Sequence, residues 1–393
     1  MPVINRIADF HADMTAWRRD LHQHPEIGLQ EHRTAERVAT LLRGFGVDEV
    51  HTGIAQTGVV AVIRGQGAGA SDKAIGLRAD MDALPILEET GRPYASQTPG
   101  VMHACGHDGH TAMLLGAARY LAETRKFDGT VYAIFQPAEE NEGGGRMMVD
   151  EGLFERFPMR QVFGMHNWPA APAGTFLWRD GPMMAAVAQI EIEITGKGTH
   201  GAQPHLGTDP IVIASAIVQA FQSIVARTIH PALGGVVTIG SIQGGHTHNV
   251  IPETVRMLGT ARWFDPEVGD ALERGVLRLA HAIADGFGAT VVAKFDRIYP
   301  ATVNDPAANV MARRAATSIA GESRVEPLLH PTMAGEDFSF MLNAKQGSYV
   351  MLGARRGPDD AMVHHPRYDF NDDILPIGAS YWATLAEQLL PRA

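Results

Sequence analysis

The chain has 393 residues, which at roughly 150 residues per domain suits two or three domains. Hydrophobic residues make up 45% and charged residues 20%, which excludes a disordered polymer, and a net charge of −11 with scattered lysines argues against nucleic acid or anionic membrane as partners. A single cysteine excludes an internal disulfide framework, and no apolar run reaches the ~18 residues of a membrane span, so a cytoplasmic protein is expected.

Thr34 to Leu42 reads as a helix. Val59 to Ile63 is a short apolar β-branched run, as a buried parallel strand would be. The stretch 65–70 is a flexible turn, and Ala74 to Ala79 is the next strand. His110 to Glu123 carries Met113, Leu114, Ala117, Ala118 and Leu121 at helical spacing. Thr130 to Phe135 is a strand stopped by Pro137, and Val162 to Met165 is another. Strand–helix alternation predicts an open, mostly parallel α/β sheet with helices on both faces.

The middle differs. Ile190, Ile192 and Ile194 alternate with Glu191 and Glu193, as in a strand with one wet face. Asp209-Pro210 suits the N-cap and first turn of a helix reaching Arg227. The apolar run at its start, Pro210 to Phe221, is too short to cross a membrane. Strands at Val236 to Ile242 and Thr254 to Trp263, a helix at Pro266 to Gly286 and a strand at Thr290 to Phe295 complete a ferredoxin-like βαββαβ unit. The last stretch returns to the first pattern, with a helix at Ala308 to Ala320, a buried strand at Ser348 to Leu352 and a closing helix at Ile377 to Leu390. The expected domains are therefore 1–185 and 299–393 together, with 186–298 inserted.

Eighteen histidines and one cysteine in an acidic chain raise the question of a metal site. In an extended segment the side chains of Cys105 and His107 point the same way and could grip one cation. An inert cysteine beside a structural histidine is the alternative. Glu139-Glu140 follows a strand end, where α/β sheets place ligands. One acid could ligate a metal while its neighbour stays free as a base. The alternative is a solvated acidic turn. Gly143-Gly144-Gly145 reads as an open loop beside them. His166 and the pair His364-His365 also fall after strands. Together, Cys, His and Glu favour zinc, with manganese, cobalt or nickel as options. Asp80 and Asp82 could orient a ligand histidine. Arg256 and Arg262 are candidates for a substrate carboxylate, or plain surface charges.

Several stretches resemble the aminoacylase–carboxypeptidase family of dimetal amidohydrolases, in the branch of hippurate hydrolase and the plant auxin-conjugate amidohydrolases. They are Arg18 to Glu26, Leu77 to Pro85, Met102 to Thr111, Gln136 to Glu140, Gly164 to Asn167, Gly196 to His205, Asn249 to Pro252, Ala334 to Phe338 and His364 to Pro366. The resemblance implies two divalent metal ions held by Cys105, His107, Glu140, His166 and His364, with Cys105 where other branches place a bridging aspartate. It implies Glu139 as general base, Asp82 beside the ligands, and His200 and Asn249 holding the substrate's developing oxyanion. It further implies hydrolysis of an N-acyl amino acid to a carboxylic acid and a free amino acid. The inserted domain would act as lid and dimer interface, giving a homodimer or homotetramer. His246 and His248 make the loop before Asn249 richer in histidine than is common in relatives. The other readings are a dipeptidase or carboxypeptidase of the same family, a metal-independent hydrolase with Cys105 as nucleophile, and a catalytically silent metal-binding protein.

Overall fold

The computed structural model describes residues 3–66, 73–140 and 142–392; from residue 67 on, the turn expected over 65–70 lies outside them. The chain divides into two compact units. The first comprises Met1–Met183, Thr302–Pro331 and Glu336–Ala393, and the second Met184–Ala301 and Thr332–Gly335.

The first unit is built on an eight-stranded sheet in the order Glu49–Ile54, Gly58–Arg64, Thr130–Gln136, Ala74–Asp80, Gln161–Pro172, Gln346–Arg355, Phe176–Trp178, Val325–Pro327. Its four central strands run parallel. The strand Gly58–Arg64 corrects the expectation of a parallel strand, because it is antiparallel to both neighbours. Its apolar run reports burial, not direction. Val59, Ala61 and Ile63 enter the main core, and Val60 and Val62, which point the other way, are buried too. The Ala- and Leu-rich helix His107–Thr124 is buried along almost its whole length. It packs against the helices His11–Gln23 and Leu375–Leu389. Gly116 permits this approach, since a Cβ there would lie 2.3 Å from Met14 Sδ.

The second unit holds a four-stranded antiparallel sheet in the order Gly235–Gln243, Thr254–Trp263, Ala186–Thr195, Thr290–Tyr299. With the helices Pro210–Thr228 and Pro266–Gly286 this is the βαββαβ arrangement. Ala188, Ile190, Ile192 and Ile194 line the buried face. Asp209 and Asp265 cap the helices by accepting from the N–H groups of Ile211 and Glu267, with proline next in each case. The helix Pro210–Thr228 runs past Gln222 and Ser223 and is long and apolar enough by composition to cross a membrane, which corrects the reading of that run as too short. Its side chains Ile213, Ala214, Ile217, Phe221 and Ile224 form part of this unit's core.

Candidate metal centre

Adjacent central strands end together. Asp80 pairs with Gln136 at the carboxyl ends of theirs, and Glu139 and Glu140 follow within one turn. His166 lies inside the strand Gln161–Pro172 and not after its end. Cys105 and His107 meet by a different route from the extended segment expected. Gly106 adopts φ +96° and His107 is the first residue of its helix. A Cβ at Gly106 would lie 2.0 Å from Asn167 Oδ1, so this turn requires glycine on both conformational and spatial grounds. Gly143-Gly144-Gly145 is not an open loop, because Gly144 and Gly145 begin the helix Gly144–Asp150.

The structure brings five of the expected residues together. Potential ligand atoms of Cys105, His107 and His166 lie within 4.8 Å of one another, as do those of Cys105, Glu140 and His364. Cys105 Sγ is 3.2 Å from His166 Nε2. Glu140 Oε1 is 3.9 Å from His107 Nε2 and 3.3 Å from His364 Nε2. His364 has φ +64° and its N–H is fixed on Ala104 O, while its ring is half exposed. His365 turns to other work, with Nδ1 accepting the Arg367 N–H at 3.1 Å.

Hydrogen bonds aim these groups. Nδ1 of His107 lies 3.0 Å from both the carbonyl and the carboxylate of Asp82, and Asp82 Oδ2 accepts the Glu140 N–H. His166 Nδ1 donates to Asn167 O. Each imidazole thus turns Nε2 toward the cluster, as second partners of metal-binding histidines do. His107 Nε2 and Glu140 Oε1 are buried with no hydrogen-bond partner among the described residues. Buried polar atoms are otherwise nearly always satisfied. A soft thiolate, imidazoles and a carboxylate crowded around unsatisfied atoms fit divalent cations.

The electrostatics agree. Burial, Glu140, Glu139 and Asp80 push the Cys105 thiol well up. Burial opposes a charged His107, yet Asp80, Asp82 and Glu140 outweigh it and hold the imidazole up at about 10. Burial, with His110 and His107, drives His166 well down. Burial and the acids Glu336, Glu140, Asp337 and Asp82 push Glu139 well up. A thiol pushed up beside an imidazole pushed down is the reverse of the pair a metal-free cysteine nucleophile needs.

His200 and Asn249 belong to the second unit, where they are exposed neighbours on a two-stranded ribbon that pairs His200 with Val250. His200 Nδ1 accepts the Ala202 N–H, and Asn249 Oδ1 accepts the Thr247 hydroxyl. In the same unit Arg256 is exposed beside Glu193, and burial lowers the pKa of Arg262.

Reading the sequence missed the layer behind the cluster. Arg78 is fully buried and donates to Gln136 Oε1, Asp80 Oδ2, Glu336 Oε1 and Asp337 Oδ1 at 2.7–3.1 Å. His110 donates from Nδ1 to Asp80 and accepts the Asn167 N–H at Nε2, so both its nitrogens are spoken for. His110 stands three residues after His107 on one helix, a spacing that places the two on one face. That spacing was the available signal.

The sequence matches the profile of Peptidase family M20/M25/M40 over residues 76–388. Hippurate hydrolase of Campylobacter jejuni is 40% identical over 390 residues, covering 99% of this chain and 100% of the relative. The chain belongs to this family. N-acetyl-L-cysteine deacetylase of Bacillus subtilis is 40% identical over 366 residues, covering 93% of this chain and 85% of the relative. The crystal structure of a dinuclear metal-binding peptidase of family M20 from Bacillus subtilis superposes with a TM-score of 0.82 at 35% identity, covering 98% of this chain and 99% of the other. This M20 member is a metal-dependent amidohydrolase whose centre takes two divalent ions.

Proposed function

We propose that this M20 enzyme hydrolyses the amide bond of N-acyl amino acids, releasing a carboxylic acid and a free amino acid. The observation that carries the reading is the buried group Cys105, His107, Glu140 and His166, joined by His364, with a second acid, Glu139, beside it. Those five residues would hold the two ions. Bound there, divalent cations supply Lewis acidity and bring the pKa of water toward about 7. Glu139 takes the proton of the attacking water and returns it to the leaving amine. Asp82 holds His107 in the tautomer that turns Nε2 to the centre. His200 and Asn249 stabilise the developing oxyanion. The relatives named hippurate hydrolase and N-acetyl-L-cysteine deacetylase support an acylated amino acid as substrate.

Zinc or manganese suits the ligand set, with cobalt or nickel able to substitute. The second unit would act as lid and as the surface of a homodimer or homotetramer. A thiolate ligand favours a reducing compartment, the cytoplasm. The test is a hydrolysis panel of hippurate, N-acetyl amino acids, indole-acyl amino acids and dipeptides, run before chelation, after it and after metal is restored. Acylated amino acids cleaved only with metal bear the reading out. Preference for dipeptides would make it a dipeptidase, and turnover indifferent to chelation would overturn the metal reading.

A further inference from the structure

The two acids at the centre follow a backbone turn that is unusual in itself. Ala138 has φ +52°, in the left-handed region that residues with a Cβ rarely adopt. It is fully buried and stands immediately before Glu139 and Glu140. The surroundings grip this turn closely. A Cβ at Gly28 would lie 3.0 Å from Ala138 Cβ, and one at Gly58 would lie 3.1 Å from Pro137 Cδ. Gly144 N–H donates to Ala138 O.

One polar side chain holds the turn from another part of the chain. Glu31 is fully buried, and its Oε1 accepts the Ala138 N–H at 2.8 Å while its Oε2 accepts the Thr57 hydroxyl at 2.7 Å. Glu31 occupies the N-cap position of the helix His32–Gly44, where a carboxylate ordinarily accepts from the first helical N–H groups. Here it makes no such bond. Glu26 accepts from the N–H groups of Arg33 and Thr34 instead. The Glu31 carboxylate is thereby diverted from its local role to a turn 107 residues away. Burial, opposed by the Thr57 hydrogen bond, pushes its carboxyl up to about 7. An apolar side chain of that size would leave the buried Ala138 N–H and Thr57 hydroxyl without their acceptor.

We propose that Glu31 is a positioning residue for the reaction: by fixing the Ala138 N–H it holds the left-handed turn that aims the Glu139 carboxylate. The inference rests on the reading of Glu139 as the base. The test measures kcat, KM, metal content and thermal unfolding of the metal-loaded enzyme on an acylated amino acid that it cleaves. Glu31→Met keeps the length and removes the acceptor. It should lower kcat by ~10–100-fold, as misplaced catalytic groups do, with KM and metal content unchanged. Glu31→Gln keeps one oxygen for Ala138, and the Thr57 hydroxyl can rotate to accept from the amide, so it should recover most of that loss. Gly28→Ala puts a Cβ 2.4 Å from Glu142 Oε2, the end of a side chain that can swing away, and 3.0 Å from Ala138 Cβ; compared in a Glu142→Gln background, it should also lower kcat, and it is the readout if Glu31→Met does not fold.

A parental kcat in folded Glu31→Met, or in Gly28→Ala where Glu31→Met does not fold, overturns the inference. So does a loss in Glu31→Met that tracks metal or thermal stability and is not recovered by Gln. Glu139→Gln serves as the control. If it keeps full turnover, the base assignment falls and this inference with it. If it is inactive while Glu31→Met is normal, only the inference falls.

Discussion

Two buried clusters of acids lie side by side in the first unit, and they solve the same electrostatic problem in opposite ways. In one, Asp80, Glu336 and Asp337 surround Arg78, whose guanidinium donates to all three and to Gln136. In the other, Glu139 and Glu140 adjoin Cys105, His107 and His166, and among the described residues His107 Nε2 and Glu140 Oε1 have no hydrogen-bond partner. Leaving buried polar atoms unsatisfied is costly, so the first cluster reads as structure and the second as a receptor for cations from outside. The contrast locates the metal centre more sharply than a count of ligand types does. A third cluster stands between these cases. His22 bridges Asp108 and Glu88, a cation that can be titrated away.

The contrast can be broken at its most consequential point. Glu139→Gln should keep the fold and the metal content while turnover falls by ~10²–10⁴, measured by steady-state kinetics beside metal analysis. Near-normal turnover would remove Glu139 from the role of base. The structural cluster answers to stability instead. Arg78→Met strands three buried acids and should cost about 3–5 kcal/mol in denaturant unfolding, the range for removing one partner of a buried ion pair. A loss under 1 kcal/mol would mean that the acids find another neutraliser. His22 sharpens the comparison with pH. Burial opposes its charge, but Asp108 and Glu88 hold the imidazolium up at about 9, above the ordinary value of 6.5. Its contribution is therefore fully present below about 6.5 and is lost as pH rises through about 9. Unfolding free energies compared at pH 6.5 and 9.5 should differ by about 2–3 kcal/mol more in the parent than in His22→Gln. Equal pH slopes would contradict the bridge.

Much of the fold was legible because its signals are local. The alternation of Ile190, Ile192 and Ile194 reports a sheet with one covered face, and Asp209 directly before Pro210 marks a helix start. The direction of Gly58–Arg64 was not legible, since an apolar run says only that both faces are dry. Residue types suited to metal could be read from Cys105 to His364, but not the means of gathering them. Those means are the left-handed Gly106, the left-handed His364 and the long strand that carries His166. Arg78 shows the limit most plainly. It bonds to acids 258 and 259 residues further along the chain, and no local pattern announces such a pair. Glu31 is a milder case, because its N-cap position invites a local explanation that its hydrogen bonds refuse.

The central claim is that the cluster of Cys105, His107, Glu140, His166 and His364 exists to hold metal. Elemental analysis combined with calorimetric titration of the chelated protein addresses it directly, in the parent and in Cys105→Ala. The account predicts two divalent ions per chain in the parent, activity restored as they bind, and weaker or substoichiometric binding in Cys105→Ala. Full turnover from protein carrying no metal, or identical binding in both proteins, would contradict it.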